Sequence, residues 1–228
     1  MVRALPFRLS FSYPLLGPYD EIIWVPGLFA VPPTGRKAMR ATRIYVSNKE
    51  SLYNGALDSI HPTYSFLTSK SGRKNWNIPK NLAHFVFTPG ADTSSKALPY
   101  SRISVAPHDS PETPFFVIDL SPTMFLSDGI IPFSTHLFPT SLLQTVNPPL
   151  PQSLNWKEDG RVGTETWLAF TSGMKGKAGF FRGAGGLPGG AFGNGIDFPD
   201  VKPWSLGMWV REFELNFPIP EVLGKKDQ

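Results

Sequence analysis

Short apolar runs broken by proline and glycine set the rhythm of this chain. After the turn signal Gly17–Glu21 comes "IIWVPG", which predicts a strand over 21–25 ended by Pro26-Gly27. "VPPTGRKA" (31–38) reads as a loop. In "MRATRIYVS" (39–47), Thr42, Ile44 and Val46 alternate with Ala41, Arg43, Tyr45 and Ser47, the period of a half-buried strand. Ser47 stands three residues before Glu50, a capping-box spacing that predicts a short helix reaching Tyr53. "HFVF" (84–87), "SRISVAP" (101–107) and "VGTETWLAF" (162–170) predict further strands. "FFVIDL" (115–120) is apolar without alternation, as a strand buried on both faces would be. The glycine-dominated segment 173–195 reads as a flexible loop or lid. In "WSLGMWVREFELNF" (204–217), Met208 and Val210 alternate in one phase and Phe213, Leu215 and Phe217 in the other. A phase slip at Arg211-Glu212 predicts a β-bulge in a long bent strand, the device by which a sheet curls.

These elements predict a mainly β protein, a curled antiparallel sheet closing toward a barrel, with few short helices. The 228 residues read as a single domain, 1–228. Hydrophobic residues make up 41% and charged residues 18%, enough for a packed core. The net charge of +4 is too small, and too far from any recognisable module, to point to nucleic acid. Its densest patch, Arg36, Lys37, Arg40 and Arg43, reads as a solvated loop face. Cysteine is absent from the sequence, which excludes disulfides and thiolate metal sites. His61, His84, His108 and His136 have no metal-ligand spacing, so no metal is expected. "MVRALPFRLSFSYPLL" makes a poor signal peptide, and no stretch is long and apolar enough to cross a bilayer, so no membrane partner and a cytoplasmic location are expected.

The chemistry centres on "SGRKNWNIPKNLAHFVF" (71–87), where Lys80 follows Pro79 at the mouth of an apolar strand. Together with "GPYDEIIWVPG" (17–27), "RATRIYVSNKES" (40–51), "PPLP" (148–151), "VGTETWLAF" (162–170) and "FPDVKPWSLGMWVREFELNF" (198–217), it resembles the acetoacetate decarboxylase-like family, most closely its fungal branch. The G-R-x-x-x-x-x-P-K element is the most specific part. The resemblance implies a cone-shaped β-barrel around an apolar pocket. It also implies a lysine, here Lys80, that forms a Schiff base with a small β-keto acid or related carbonyl substrate and needs no cofactor. Such a lysine must be neutral to attack a carbonyl, so its pKa must fall from about 10.4. A desolvated lysine, or one beside another cation, meets that requirement; the family's enzyme is itself the standard example. Glu21 of "GPYDE" fits the family's acidic residue, with Asp20 as a fallback. Arg73, Trp76, Ile78 and Arg8 are the candidate substrate-binding residues, and Trp76, Ile78 and Leu82 the candidate desolvating groups. The family's multimers imply a homo-oligomer.

Two departures stand beside the resemblance. The well-known enzymes carry a second lysine where this chain has Asn81, which removes a vicinal cation. Residues 56–72 read as an insertion, either retained intron sequence or a surface loop, and the family's upstream arginine and glutamate lack clear counterparts before Gly17. Three readings follow: a decarboxylase-like lyase, a non-catalytic barrel for a small apolar or carboxylated ligand, or a merely structural Lys80, exposed on a turn with its stem packed on Trp76. Glu21 has its own structural reading as a surface carboxylate beside a turn. Relatives also run aldol and dehydration chemistry through the same imine.

Overall fold

The structure is a computed structural model. It describes residues 19–49, 76–90, 98–123, 126–155, 163–202, 204–216 and 218–223, and the backbone of 7–9. It is mainly β, with a strongly curled, half-barrel sheet. The larger sheet runs in the order β1 (Phe7–Leu9), β2 (Tyr19–Trp24), β5 (Arg43–Val46), β6 (Lys80–Pro89), β7 (Tyr100–Pro107), β8 (Phe116–Pro122), β12 (Gly173–Gly185) and β13 (Leu206–Asn216), with β9 (Ile131–Ser134) also pairing β12. The smaller sheet has the order β14 (Glu221–Leu223), β11 (Trp167–Thr171), β10 (Gln144–Asn147), β4 (Arg36–Met39) and β3 (Leu28–Val31). No helix among the described residues is long and apolar enough to cross a membrane.

Most pairings are antiparallel, as the alternation predicts. The β5–β6 pair is parallel, with Ile44 opposite Lys80 and Val46 opposite Leu82. A parallel neighbour needs a long crossover, and residues 47–79 supply the length. Within that stretch Lys49 is helical; the rest of the expected helix to Tyr53 and the segment 56–72 lie outside the described residues.

Two apolar clusters lie on either side of the β2–β5–β6 region. Ile22, Trp24 and Ala83 join Val105, Phe116 and Phe198 on one face. Tyr19, Ile44 and Val46 join Trp76, Ile78 and Phe170 on the other, which ties the larger sheet to β11 of the smaller one. β8 is buried on both faces, Phe116, Val117, Ile118 and Leu120 alike, as its unbroken apolar run predicts. The bulge is also where the phase slip puts it. Lys175 pairs with Glu214, the next matched pair is Lys177 with Arg211, and Glu212 takes a φ of 48° to absorb the extra residue.

Three expectations are corrected. Residues 31–38 are not a plain loop, because β3 and β4 form a hairpin around Pro32–Gly35. The basic patch is only partly solvated: the Arg40 guanidinium lies 4.8 Å from the Phe29 ring centre and 5.3 Å from that of Trp167, and Arg43 donates to the carbonyls of Ile196 and Asp197. Most tellingly, 173–185 of the glycine-rich segment is a 13-residue strand, β12, bonded to β8, β9 and β13. Its glycines admit close backbone rather than confer mobility. A Cβ on Gly179 would lie 2.6 Å from both Gly129 N and Ser127 O, and one on Gly176 2.9 Å from Arg211 O.

Gly179→Ala is therefore expected to cost about 1–3 kcal/mol in chemical denaturation. Gly173→Ala in the same strand, where the nearest atom would be 3.9 Å away, should leave stability almost unchanged. Equal effects at the two sites would contradict this account of the strand.

Candidate active site

The chain turns sharply just before Lys80. Lys80 N donates to the carbonyl of Ile78 at 2.8 Å, a bond across one residue that closes an inverse γ-turn on Pro79. Proline's fixed φ suits the central position of that turn, and its lack of N–H costs nothing there. The strand then starts at once, and Lys80 leaves the turn already paired beside Ile44.

Period two decides what Lys80 meets. Glu21 is opposite Val46 and Ile23 opposite Ile44, so Tyr19, Glu21 and Ile23 share a face with Ile44, Val46 and Lys80. The Lys80 and Glu21 side chains reach across β5 and meet, Nζ to Oε2 at 3.2 Å. Lys80 Nζ also donates to the Tyr19 hydroxyl at 3.4 Å and lies 5.2 Å from that ring's centre. Lys80 is 6% exposed and Glu21 4%, so neither the exposed-lysine nor the surface-carboxylate reading holds.

Burial pushes the Lys80 pKa down, but the charge of Glu21 and the contact with Tyr19 push it up by more. The lysine is held protonated, above its ordinary value. The expected lowering by desolvation is thus reversed in the resting site, because a carboxylate partner is buried with the lysine.

Asn81 has its own task. Its side-chain amide donates to the carbonyls of Pro79 at 3.1 Å and Ile44 at 3.3 Å, bracing the turn. As the next residue along a strand it projects to the opposite face from Lys80. A second lysine at this position would not face Lys80, and its absence here says little about Lys80's charge.

Other candidates fall in different places. Trp76 and Ile78 are buried in the same apolar cluster as Tyr19, and Trp76 Nε1 donates to the carbonyl of Pro218 at 3.1 Å. Asp20 lies on the opposite face from Glu21, its backbone bonded to Ser47, and is not the carboxylate that meets Lys80. In backbone register Arg8 stands opposite Asp20 and Phe7 opposite Glu21. Arg73 lies outside the described residues. Tyr19 joins the site, although the motif singles out only its acidic neighbours. The signal was present in "YDE", since residues two apart on a strand share a face.

An apolar cavity of about 100 Å³ lies on the other face of the sheet, lined by Ile22, Phe85, Ile103, Phe116, Phe181, Trp209 and further apolar neighbours. Neither Lys80 nor Glu21 lines it, and no lining residue is charged. The lysine and this cavity are therefore separate features.

No protein-family model matches the chain, and no curated protein matches it either.

A buried ion pair is strongly destabilised when one partner is removed and only weakly when both are. Lys80→Met and Glu21→Gln should each lower stability at neutral pH, the former by about 3–5 kcal/mol. The double variant should recover most of the loss. Additive single effects in a denaturation cycle would mean that the two groups are not coupled. The pH dependence has a definite sign. A raised folded pKa makes the stabilisation linked to the Lys80 proton fully present below about pH 10.4 and lost only as pH climbs through Lys80's own higher value.

Proposed function

We propose that the chain is an acetoacetate decarboxylase-like lyase that acts on a small β-keto acid, or a related carbonyl compound, through a Schiff base on Lys80. The observation that supports this most is the buried Lys80 amine 3.2 Å from the buried Glu21 carboxylate. In that pair Glu21 is the acceptor for the lysine's proton. Moving the proton from Nζ to Oε2 converts an ion pair to a neutral pair with no net charge change, which an apolar setting tolerates better than isolated charges.

The steps then balance. The neutral amine adds to the keto carbon, and the carbonyl oxygen takes up a proton. Water leaves, and a protonated imine forms. The electrons of the bond to the carboxylate flow into the imine as carbon dioxide departs, leaving an enamine. A proton adds to the enamine carbon, and water hydrolyses the imine to release ketone and restore Lys80. The imine is its own electron sink, so the cycle needs no metal or organic cofactor. Glu21 serves as proton acceptor and donor, and Tyr19 helps hold the amine.

A second reading, a non-catalytic barrel binding a small uncharged apolar ligand, is favoured by the separate cavity without charged lining. Calorimetric binding of an uncharged aromatic such as toluene by a protein whose Lys80 forms no imine would support it over the first.

Borohydride reduction in the presence of acetoacetate tests the lyase reading. An adduct located on Lys80 by peptide mass spectrometry is expected. Its yield should rise toward alkaline pH in the wild type and at lower pH in Glu21→Gln, where burial acts on the lysine without the opposing carboxylate. A folded protein with no adduct on Lys80 at any pH would overturn the proposal.

A further inference from the structure

The loop that delivers Lys80 is fastened by two asparagines that the chemistry does not otherwise use. Asn77 and Asn147 are both 0% exposed. Burying an amide costs free energy unless it is bonded, and of the four polar ends of these side chains all but the Asn77 Oδ1 have a partner among the described residues, which marks a built feature. The Asn77 Nδ2 group donates to the carbonyl of Asn147 at 3.3 Å and to that of Thr166 at 2.6 Å. The Asn147 Nδ2 group donates to the carbonyl of Trp76 at 2.9 Å, and its Oδ1 accepts from Ala41 N at 3.3 Å. These reciprocal bonds link the segment before Lys80 to the end of β10, to the residue before β11 and to the entry of β5. Asn77 also has a φ of 50°, a left-handed turn that asparagine tolerates better than most residues. Three residues later the chain has completed the Pro79 turn and placed Lys80.

We infer that Asn77 and Asn147 are positioning residues, an amide clamp that fixes the Pro79 corner to the smaller sheet and so sets the distance of Lys80 Nζ from Glu21 and Tyr19. The clamp holds main chain on both sides: the carbonyls of Trp76 and Asn147 each accept from the other asparagine. Lys80 cannot slide along β5 without breaking these bonds. The inference bears on Lys80 placement and deepens the lyase reading, on which its catalytic meaning rests.

Asn77→Gly keeps the left-handed backbone and deletes the amide. Asn147→Gln keeps the amide and displaces it by one methylene, should the first variant fail to fold. The readout is the rate at which acetic anhydride acylates Lys80 as a function of pH, followed by peptide mass spectrometry; it needs no keto acid. With the clamp loosened, Lys80 moves away from Glu21, and either contact with solvent or burial without a partner brings its midpoint down. A fall of about one pH unit is expected, the low end of what a nearby opposite charge contributes. Gly179→Ala, which weakens the fold where β12 packs on Ser127, Gly129 and Trp209, should leave the midpoint where it is. A folded Asn77→Gly protein with the wild-type midpoint overturns the clamp. So does Gly179→Ala moving the midpoint equally, since that would make the effect general softening. Acetoacetate trapping separates the two claims. A shifted midpoint with no wild-type adduct upholds the clamp and removes the lyase reading, whereas equal adduct rates and midpoints in wild type and Asn77→Gly remove the clamp alone. If both hold, the adduct forms more slowly in Asn77→Gly, on the order of a hundredfold for an ångström of displacement.

Discussion

A lysine and a glutamate buried together in the middle of a sheet constrain everything around them. Lys80 and Glu21 lie on strands that flank β5, and their 3.2 Å contact requires β2, β5 and β6 to keep their register. A slip of one residue in either neighbour would turn a charge to the other face, into the cluster around Phe116 and Val105. Desolvating two ions is costly, and neither is stable there alone. The pair thus penalises wrong registers more strongly than an apolar pair would, and the same feature provides an amine with a built-in proton acceptor.

Around this pair the molecule arranges stiffness in layers. The γ-turn at Pro79 fixes the direction in which the lysine enters the sheet. The Asn81 amide braces the turn from the opposite face. The two buried asparagines tie the approach to the smaller sheet. Further away, β12 packs its glycines against neighbouring backbone, and β13 bends at Glu212, so that the sheet curls over the apolar interior. The apolar cavity belongs to that interior and is separated from the lysine by the sheet itself.

What could be read from the chain was local. The unbroken run at Phe115–Leu120, the phase slip at Arg211-Glu212 and the placing of Lys80 at a strand mouth each depend on a few adjacent residues, and each agrees with the fold. The glycine-rich strand is not legible locally, because glycine has two meanings, freedom and close approach, and only the neighbouring strands say which applies. The hairpin at Leu28–Met39 was hidden by a Pro-Pro-Thr-Gly turn that resembles any loop. The asparagine clamp joins residues 70 apart in sequence, and no local pattern announces it. Glu21 was legible as a candidate from its motif, but that it opposes the desolvation of Lys80 follows only from their facing each other across β5.

The claim on which the rest turns is that Lys80 is a charged partner of Glu21 in the resting protein. Following the Lys80 amine by NMR in selectively labelled protein across the pH range tests it directly. A lysine that remains protonated through neutral pH and titrates above the ordinary value of about 10.4 is the expected result. An amine that is already neutral near pH 7–8 would contradict it, and would mean that burial governs the site and Glu21 does not.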